Sequence, residues 1–205
     1  MSQVAAILLA AGRSSRMGAF KPLLPFGERT VVESCINNLR AGGIEEIVVV
    51  IGHRAEEMRA RLSGLRVEIA FNAEDGSEMS VSIARGVERV SDGTEAVFIA
   101  LTDQPAIPAE VIRLLVSERE RTGARLVVPE HEGRGGHPVL LDMGLREELL
   151  TLDPRQGLRA LFNRHRGEVL RVGVASPYVA RDMDTWDDYR ALYGELFGVA
   201  PPGES

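Results

Sequence analysis

VAAILLAAGRSSRMGAFKPLL, residues 4–24, runs from an unbroken aliphatic stretch into a loop holding two glycines, three cations and no acid. Val4–Ala10 offers no polar face, the pattern of a strand covered on both sides in a parallel sheet flanked by helices. In open sheets of that kind ligands bind beyond the carboxyl ends of the strands, which is where residues 12–21 fall. Gly12 lets the backbone turn sharply and approach a ligand without a Cβ in the way. Successive N–H groups in such a loop form a hollow for an anion. Arg13, Arg16 and Lys21 add positive charge that no acid within the stretch cancels. A polyphosphate is the expected occupant.

The chain as a whole has the opposite sign. Of its 205 residues, 24 are Lys or Arg and 30 are Asp or Glu, a formal charge of −6. That argues against the broad basic face a nucleic-acid partner needs and leaves room for one small basic pocket. Apolar residues make up 44% and charged residues 26%, a globular mixture with material for a substantial core. Cys35 is the only cysteine, so neither an internal disulfide nor a thiolate metal cluster is available. Its place in an apolar stripe makes it a small core residue. No apolar run reaches the roughly 18 residues of a membrane span. The first residues have no basic leader and read as a strand rather than a signal peptide, so a cytoplasmic location is expected.

Beyond the loop, aliphatic runs alternate with helical patterns. Thr30 and Glu33 have the spacing of a capping box. Val32, Cys35, Ile36 and Leu39 follow at helical intervals, and Gly42 and Gly43 supply the stop. Further strands are read at Ile44–Gly52, Arg66–Phe71, Ala96–Leu101, 124–129, 137–142 and 168–174. The intervening helices include one capped by Ser77, one opened by Pro108, two near Met143–Leu150 and Gln156–His165, and a closing helix over Thr185–Gly198. His53 and His165 read as surface residues. This order predicts an α/β fold, a single Rossmann-like three-layer domain with a mostly parallel central sheet over residues 1–198. Residues 199–205 are expected to fray.

Two phosphate motifs can be tested against the loop. The P-loop G-x-x-x-x-G-K-[ST] fails, because G-R-S-S-R-M-G-A has no Lys-Ser after its second glycine, and the dinucleotide fingerprint G-x-G-x-x-G fails because only Gly12 and Gly18 are present. LAAGRSSRMGAFKPLLPFG, residues 9–27, does resemble the signature L-A-[AG]-G-x-[SG]-x-R-M-G-x-x-K of the MobA-like nucleotidyltransferases. LAAG rather than LAGG is closer to the cytidylyltransferase (MocA-type) branch than to the guanylyltransferase branch. The resemblance implies a nucleotide-diphospho-sugar transferase type of fold. It also implies transfer of a nucleoside monophosphate from an NTP, CTP in that branch, to a phosphorylated acceptor of molybdopterin type, with release of pyrophosphate. It carries nucleotide-binding roles to Leu9, Ala10, Ala11, Gly12, Arg13, Ser14, Arg16, Met17, Gly18 and Lys21, with Arg16 and Lys21 acting on the phosphates.

Such transfer depends on neutralising phosphate charge, for which Mg²⁺ held by one or two carboxylates is the usual agent. FIALTDQP puts Asp103 directly after a strand, and the resemblance makes it a catalytic metal ligand. RDMDTWDDY, residues 181–189, resembles the family's D-[IV]-D-T-P-[ED]-D segment. From it Asp184 is taken as the second ligand, with Asp182 the other candidate and Trp186 standing where the family has proline. Helix capping accounts for some of these four acids. NAEDGSEMS resembles an N-x₃-G-x₃-S segment and gives Asn72, Gly76 and Ser80 nucleotide-binding roles, Ser80 having helix capping as its competing role. GRGGHP gives Gly136, His137 and Pro138 to the acceptor, and DPRQGLRALF brings Gly157 and Arg159 toward it. The partners implied are the NTP, the acceptor, and a molybdoenzyme or its chaperone receiving the product, with no nucleic acid and no membrane. Three alternatives stay open: a guanylyltransferase, an enzyme for another phosphorylated acceptor such as a sugar phosphate, and a non-catalytic nucleotide-binding protein. A nicotinamide dehydrogenase is disfavoured by the missing fingerprint.

Overall fold

The computed structural model describes residues 3–12, 17–74 and 78–202. Strand β1 (Val4–Ala10) leads through a small hairpin, β2 (Pro25–Phe26) and β3 (Arg29–Thr30), to helix α1 (Val31–Ala41) and β4 (Glu46–Ile51). There follow α2 (Ala55–Leu62), β5 (Glu68–Phe71), α3 (Met79–Val87), β6 (Ala96–Leu101) and α4 (Ala109–Thr122). The chain continues through β7 (Leu126–His131), β8 (Arg134–Gly135), β9 (Val139–Asp142), α5 (Arg146–Leu150), α6 (Leu158–Arg164), β10 (Val169–Gly173) and α7 (Trp186–Phe197). The main sheet runs β10-β7-β9-β6-β1-β4-β5, with β8 paired to β7.

β1 sits in the interior of this sheet, parallel to β4 on one side and β6 on the other. Ala6, Leu8 and Ala10 enter one apolar cluster, and Ala5, Ile7 and Leu9 enter the other. That division is why the sequence of β1 shows no polar face. Helices α1, α2 and α4 cover the first face, with Cys35 among their buried residues, and α3, α5 and α6 cover the second. The capping box at Thr30 and Glu33 is present. Helix α3 begins at Met79 with Glu78 as its cap residue, while Ser77 lies outside the described residues.

The sheet is mixed. β1, β4, β5 and β6 run parallel, as does the β7–β10 pair, but β9 is antiparallel to both β6 and β7. The connection from β7 to β9 carries only the short β8, and a parallel crossover needs about a dozen residues or more. Past α7, Val199 is exposed whereas Pro201 is buried.

His165 is held more firmly than a surface residue. Its Nδ1 lies 2.8 Å from Glu168 Oε1 and its Nε2 lies 2.9 Å from Glu148 Oε1. Arg125 and Arg164 bind the same two carboxylates from outside. The hydrogen bond to Glu168 raises the pKa of His165 above its ordinary value, burial opposes the rise, and Glu148 adds to it. Because the raised group is the charged one, its contribution is complete below about pH 6.5 and fades as pH climbs through the folded-state pKa. Replacing His165 with Gln therefore costs more stability near pH 6 than near about pH 8.5, as measured by urea denaturation at both. An equal cost at the two pH values contradicts the ion-pair reading.

Gly86 lets α3 press onto β1, since a Cβ there would fall 2.4 Å from Cγ2 of the fully buried Ile7. Alanine gains about 1 kcal/mol of helix propensity, but overpacking a core costs about 1–3 kcal/mol. The clash is expected to win, so Gly86→Ala lowers stability by about 1–2 kcal/mol in denaturant titration. A net gain would show that α3 is free to move off the sheet.

Candidate functional site

The chain builds β4 and β5 on one side of β1 and then returns to place β6 on the other. Such a reversal opens a crevice at the carboxyl ends of the two strands. Leu9 is in register with Leu101 there, and the Thr102 hydroxyl donates to the Leu9 carbonyl at 2.9 Å. The glycine loop leaves one strand at this point and Asp103 follows the other.

Lys21 opens a single helical turn, Lys21–Leu23, and is 7% exposed. Its Nζ donates to Asp184 Oδ1 at 2.7 Å across 163 residues of chain. Asp184 arrives with the segment before α7. That segment is pinned by the Met183 N–H, which donates to the Asp103 carbonyl at 2.9 Å. The Trp186 indole donates to the Met17 carbonyl at 2.9 Å, so the residue standing where the family has proline ties α7 to the cationic loop. Of the four acids in residues 181–189, two precede α7 and two lie in its first turn. Asp188 accepts from Asp184 N–H, Thr185 N–H and the Thr185 hydroxyl as the capping box of α7. Asp187 faces outward with Arg190. Asp182 and Asp184 are left for the crevice.

Asp103 is the electrostatic neighbour of both. Its Oδ1 is buried and has no hydrogen-bond partner among the described residues. Its pKa is raised to about 6: burial is the largest cause, Asp182 adds to the rise, Lys21 pulls it down and Asp184 raises it again. Three carboxylates gather where solvation is poor, and carboxylate oxygens are the donors that a hard divalent cation takes. Among the described residues no three acidic, histidine or cysteine side chains form a ready-made metal cage.

Several loop residues predicted to meet the nucleotide spend their side chains on packing. Leu9 and Ala10 belong to the two core clusters, and Met17 packs with Phe26, Val31, Met183 and Tyr189. Ala11 is half-buried, Gly12 is exposed, and Gly18 has φ +64°. Arg13, Ser14, Arg16 and Gly76 lie outside the described residues. Asn72 is buried; its amide donates to Ser82 Oγ at 2.9 Å and its carbonyl oxygen accepts from the Glu74 N–H at 3.1 Å. It therefore shapes the loop before α3. Ser80 does not cap the helix: it is 3% exposed, and its hydroxyl has no partner among the described residues. Gly52, which sequence reasoning missed, fits between Ala11 and Asn72, and a Cβ on it would lie 3.2 Å from the Asn72 carbonyl.

On the far side of Asp103, the close approach at Gly136 is made by the protein itself. A Cβ at Gly136 would fall 1.7 Å from the Val179 carbonyl oxygen. The same oxygen accepts from the His137 N–H at 2.9 Å. His137 Nδ1 lies 3.2 Å from the Ile99 carbonyl, and burial lowers the His137 pKa, partly offset by that hydrogen bond and by Asp182. The His137–Pro138 peptide is cis. Gly157 caps α6 and the exposed Arg159 stands in its first turn; the helix packs through Leu161 into the second-face cluster. A cleft of about 380 Å³ lined by Thr94, Glu95, Arg119 and Asp142 lies at the amino end of β6, the edge opposite the carboxylates.

Known proteins resemble this chain in sequence and in fold. Residues 6–169 match the model of the MobA-like NTP transferase domain. Nicotine blue oxidoreductase of Paenarthrobacter nicotinovorans is 30% identical over 92% of this chain and 96% of that protein. Molybdenum cofactor cytidylyltransferase of Escherichia coli K12 is 28% identical over 92% of this chain and 95% of that one. The crystal structure of Rv0371c from Mycobacterium tuberculosis H37Rv superposes with a TM-score of 0.83 at 26% identity, covering 94% of this chain and 98% of that one. The same protein has been solved in complex with manganese, with a TM-score of 0.79 to this chain. The chain belongs to the MobA-like NTP transferase family and is a nucleotidyltransferase.

Proposed function

We propose that the chain moves a cytidine monophosphate unit from CTP to the terminal phosphate of a molybdopterin-type acceptor and releases pyrophosphate. The observation that carries this reading is the meeting of Lys21, Asp103 and Asp184 at the β1–β6 crevice. An acceptor phosphate oxygen attacks the α-phosphorus in line. A new P–O bond forms as the bond to the β,γ-pyrophosphate breaks, and pyrophosphate leaves with the electron pair. A phosphate monoester is largely ionised at neutral pH, with a second pKa of about 6, so no side chain has to remove a proton.

The work left to the protein is positioning and charge stabilisation. Lys21, with Arg13 and Arg16 of the loop, holds the triphosphate. Asp103 and Asp184 hold Mg²⁺, which neutralises and orients the phosphates when bound. Asn72, Gly76 and Ser80 serve the nucleoside, the Ser80 hydroxyl being the group free to bond it. Gly136, His137 and Pro138 wall the acceptor side. The preference for cytosine and for a molybdopterin rests on the LAAG loop and on the similarity to the Escherichia coli enzyme. No helix among the described residues is long and apolar enough to cross a membrane. A cytoplasmic location with hand-over to a molybdoenzyme or its chaperone completes the reading.

A screen of four NTPs against molybdopterin and sugar-phosphate acceptors, reading pyrophosphate and product mass, is expected to single out CTP with molybdopterin. Selection of GTP or of a sugar phosphate replaces the substrate assignment. Because one relative is named an oxidoreductase, the screen includes NADH and NADPH; their oxidation without pyrophosphate release refutes the transfer reading. In the active pair, Asp103→Asn is expected to cut turnover by about 10²–10³-fold. Near-normal turnover would remove Asp103 from the metal site.

Lys21 donates to one oxygen of Asp184, so it competes with a metal ion for that carboxylate. Lys21→Gln is expected to tighten Mn²⁺ binding to the free protein by roughly three- to tenfold while weakening NTP binding. Weaker Mn²⁺ binding in that variant would mean that Asp184 does not hold the ion.

A further inference from the structure

Gln104 follows Asp103 and is 5% exposed. Its Nε2 lies 2.8 Å from Asp182 Oδ1 and 3.4 Å from the Val179 carbonyl oxygen. Both neighbours are acceptors, so the amide must turn its NH₂ toward them. That orientation leaves Oε1 buried with no partner among the described residues. An apolar side chain of similar volume would fill this place without burying an unpaired acceptor. What the amide supplies, and an apolar group would not, is the bond to Asp182.

The consequence is a double clasp. Asp103 accepts the Met183 N–H through its carbonyl, and Gln104 binds the Asp182 carboxylate through its side chain. Two consecutive residues after β6 thus grip two consecutive residues before α7. The Val179 carbonyl, shared by Gln104 and the His137 N–H, carries the same grip to the acceptor wall. Gln104 engages only one oxygen of Asp182, a residue that is otherwise exposed. Its negative charge is held beside Asp103, in addition to that of Asp184.

We propose that Gln104 is a positioning residue of the metal centre, holding Asp182 as a third carboxylate whose charge adds to the affinity for the divalent ion at Asp103. The proposal rests on the metal reading of this site but not on the substrate assignment. Groups that orient a metal's carboxylates change metal affinity by about 10–100-fold when removed.

The test is a Mn²⁺ titration of the full chain without substrates, followed by electron paramagnetic resonance of the free ion. The proteins compared are the parent, Gln104→Met, Asp182→Asn and the double variant. Gln104→Met and Asp182→Asn are each expected to weaken Mn²⁺ binding by roughly tenfold. The double variant is expected to bind no more weakly than Asp182→Asn alone, because Gln104 acts through Asp182. Additive losses, or affinity within about twofold of the parent for Gln104→Met, overturn the proposal. If Gln104→Met does not fold, Asp182→Asn decides: unchanged Mn²⁺ affinity overturns it, and a tenfold loss supports it. Mn²⁺ binding by the free protein is read without turnover, so a failed transfer assay and a failed positioning role are told apart.

Discussion

A half-buried aspartate whose inner oxygen has no partner among the described residues is the constraint around which this end of the molecule is built. Asp103 stands at the end of β6 with Asp182 and Asp184 as electrostatic neighbours and Lys21 as the opposing charge. Like charges in a poorly solvated crevice repel, and such an arrangement persists only where the surrounding structure holds it. Here the Met183–Asp103 backbone bond, the Gln104–Asp182 bond and the Lys21–Asp184 ion pair all close on it. These three contacts fix where the carboxylates stand relative to one another.

The scaffold that holds this charge comes from the far end of the chain. Helix α7 packs Tyr189, Leu192 and Tyr193 against Phe26, Val31 and Met183. The Tyr189 hydroxyl donates to the Pro25 carbonyl at 2.7 Å, and Phe197 closes over Phe26 with ring centroids 5.1 Å apart. Gly27, at φ +63°, makes room for it, since a Cβ there would lie 2.7 Å from the Phe197 ring. With the Trp186–Met17 bond, these contacts fasten the last helix to the hairpin just after the cationic loop. Asp182 and Asp184 inherit their positions from that packing. Stability of the aromatic cluster and geometry of the carboxylates are therefore one problem.

Much of the fold was legible because its signals are local. The two-sided aliphatic run of β1, the Thr30–Glu33 capping box and the strand over Ala96–Leu101 all stand as read. The direction of β9 was in principle available, since the short connection from β7 forbids a parallel crossover. The β2–β3 hairpin was less visible, because two-residue strands carry no periodicity; only Pro25 and Gly27 mark it. At the site, the pattern named Lys21, Asp103 and Asp184. It gave Met17 and Leu9 to the ligand, yet their side chains fill cores, because a motif records which residues recur together and not which atoms face outward. Gln104 was read past within TDQP. An amide declares a role only when its partner, 78 residues away, is known.

The sequence by itself determined the element order, the central position of a doubly buried first strand and the cationic loop at its end, since each follows from side-chain polarity over a few neighbouring residues. It also determined the family, through a motif whose spacing is local. Only the tertiary structure decided which of the four acids around the start of α7 caps the helix and which enter the crevice. It also showed that Val179, and not an open space, lies against Gly136. The Asp188 cap is local, but the places of Asp184 and Val179 depend on contacts across more than forty residues of chain, which no local pattern encodes.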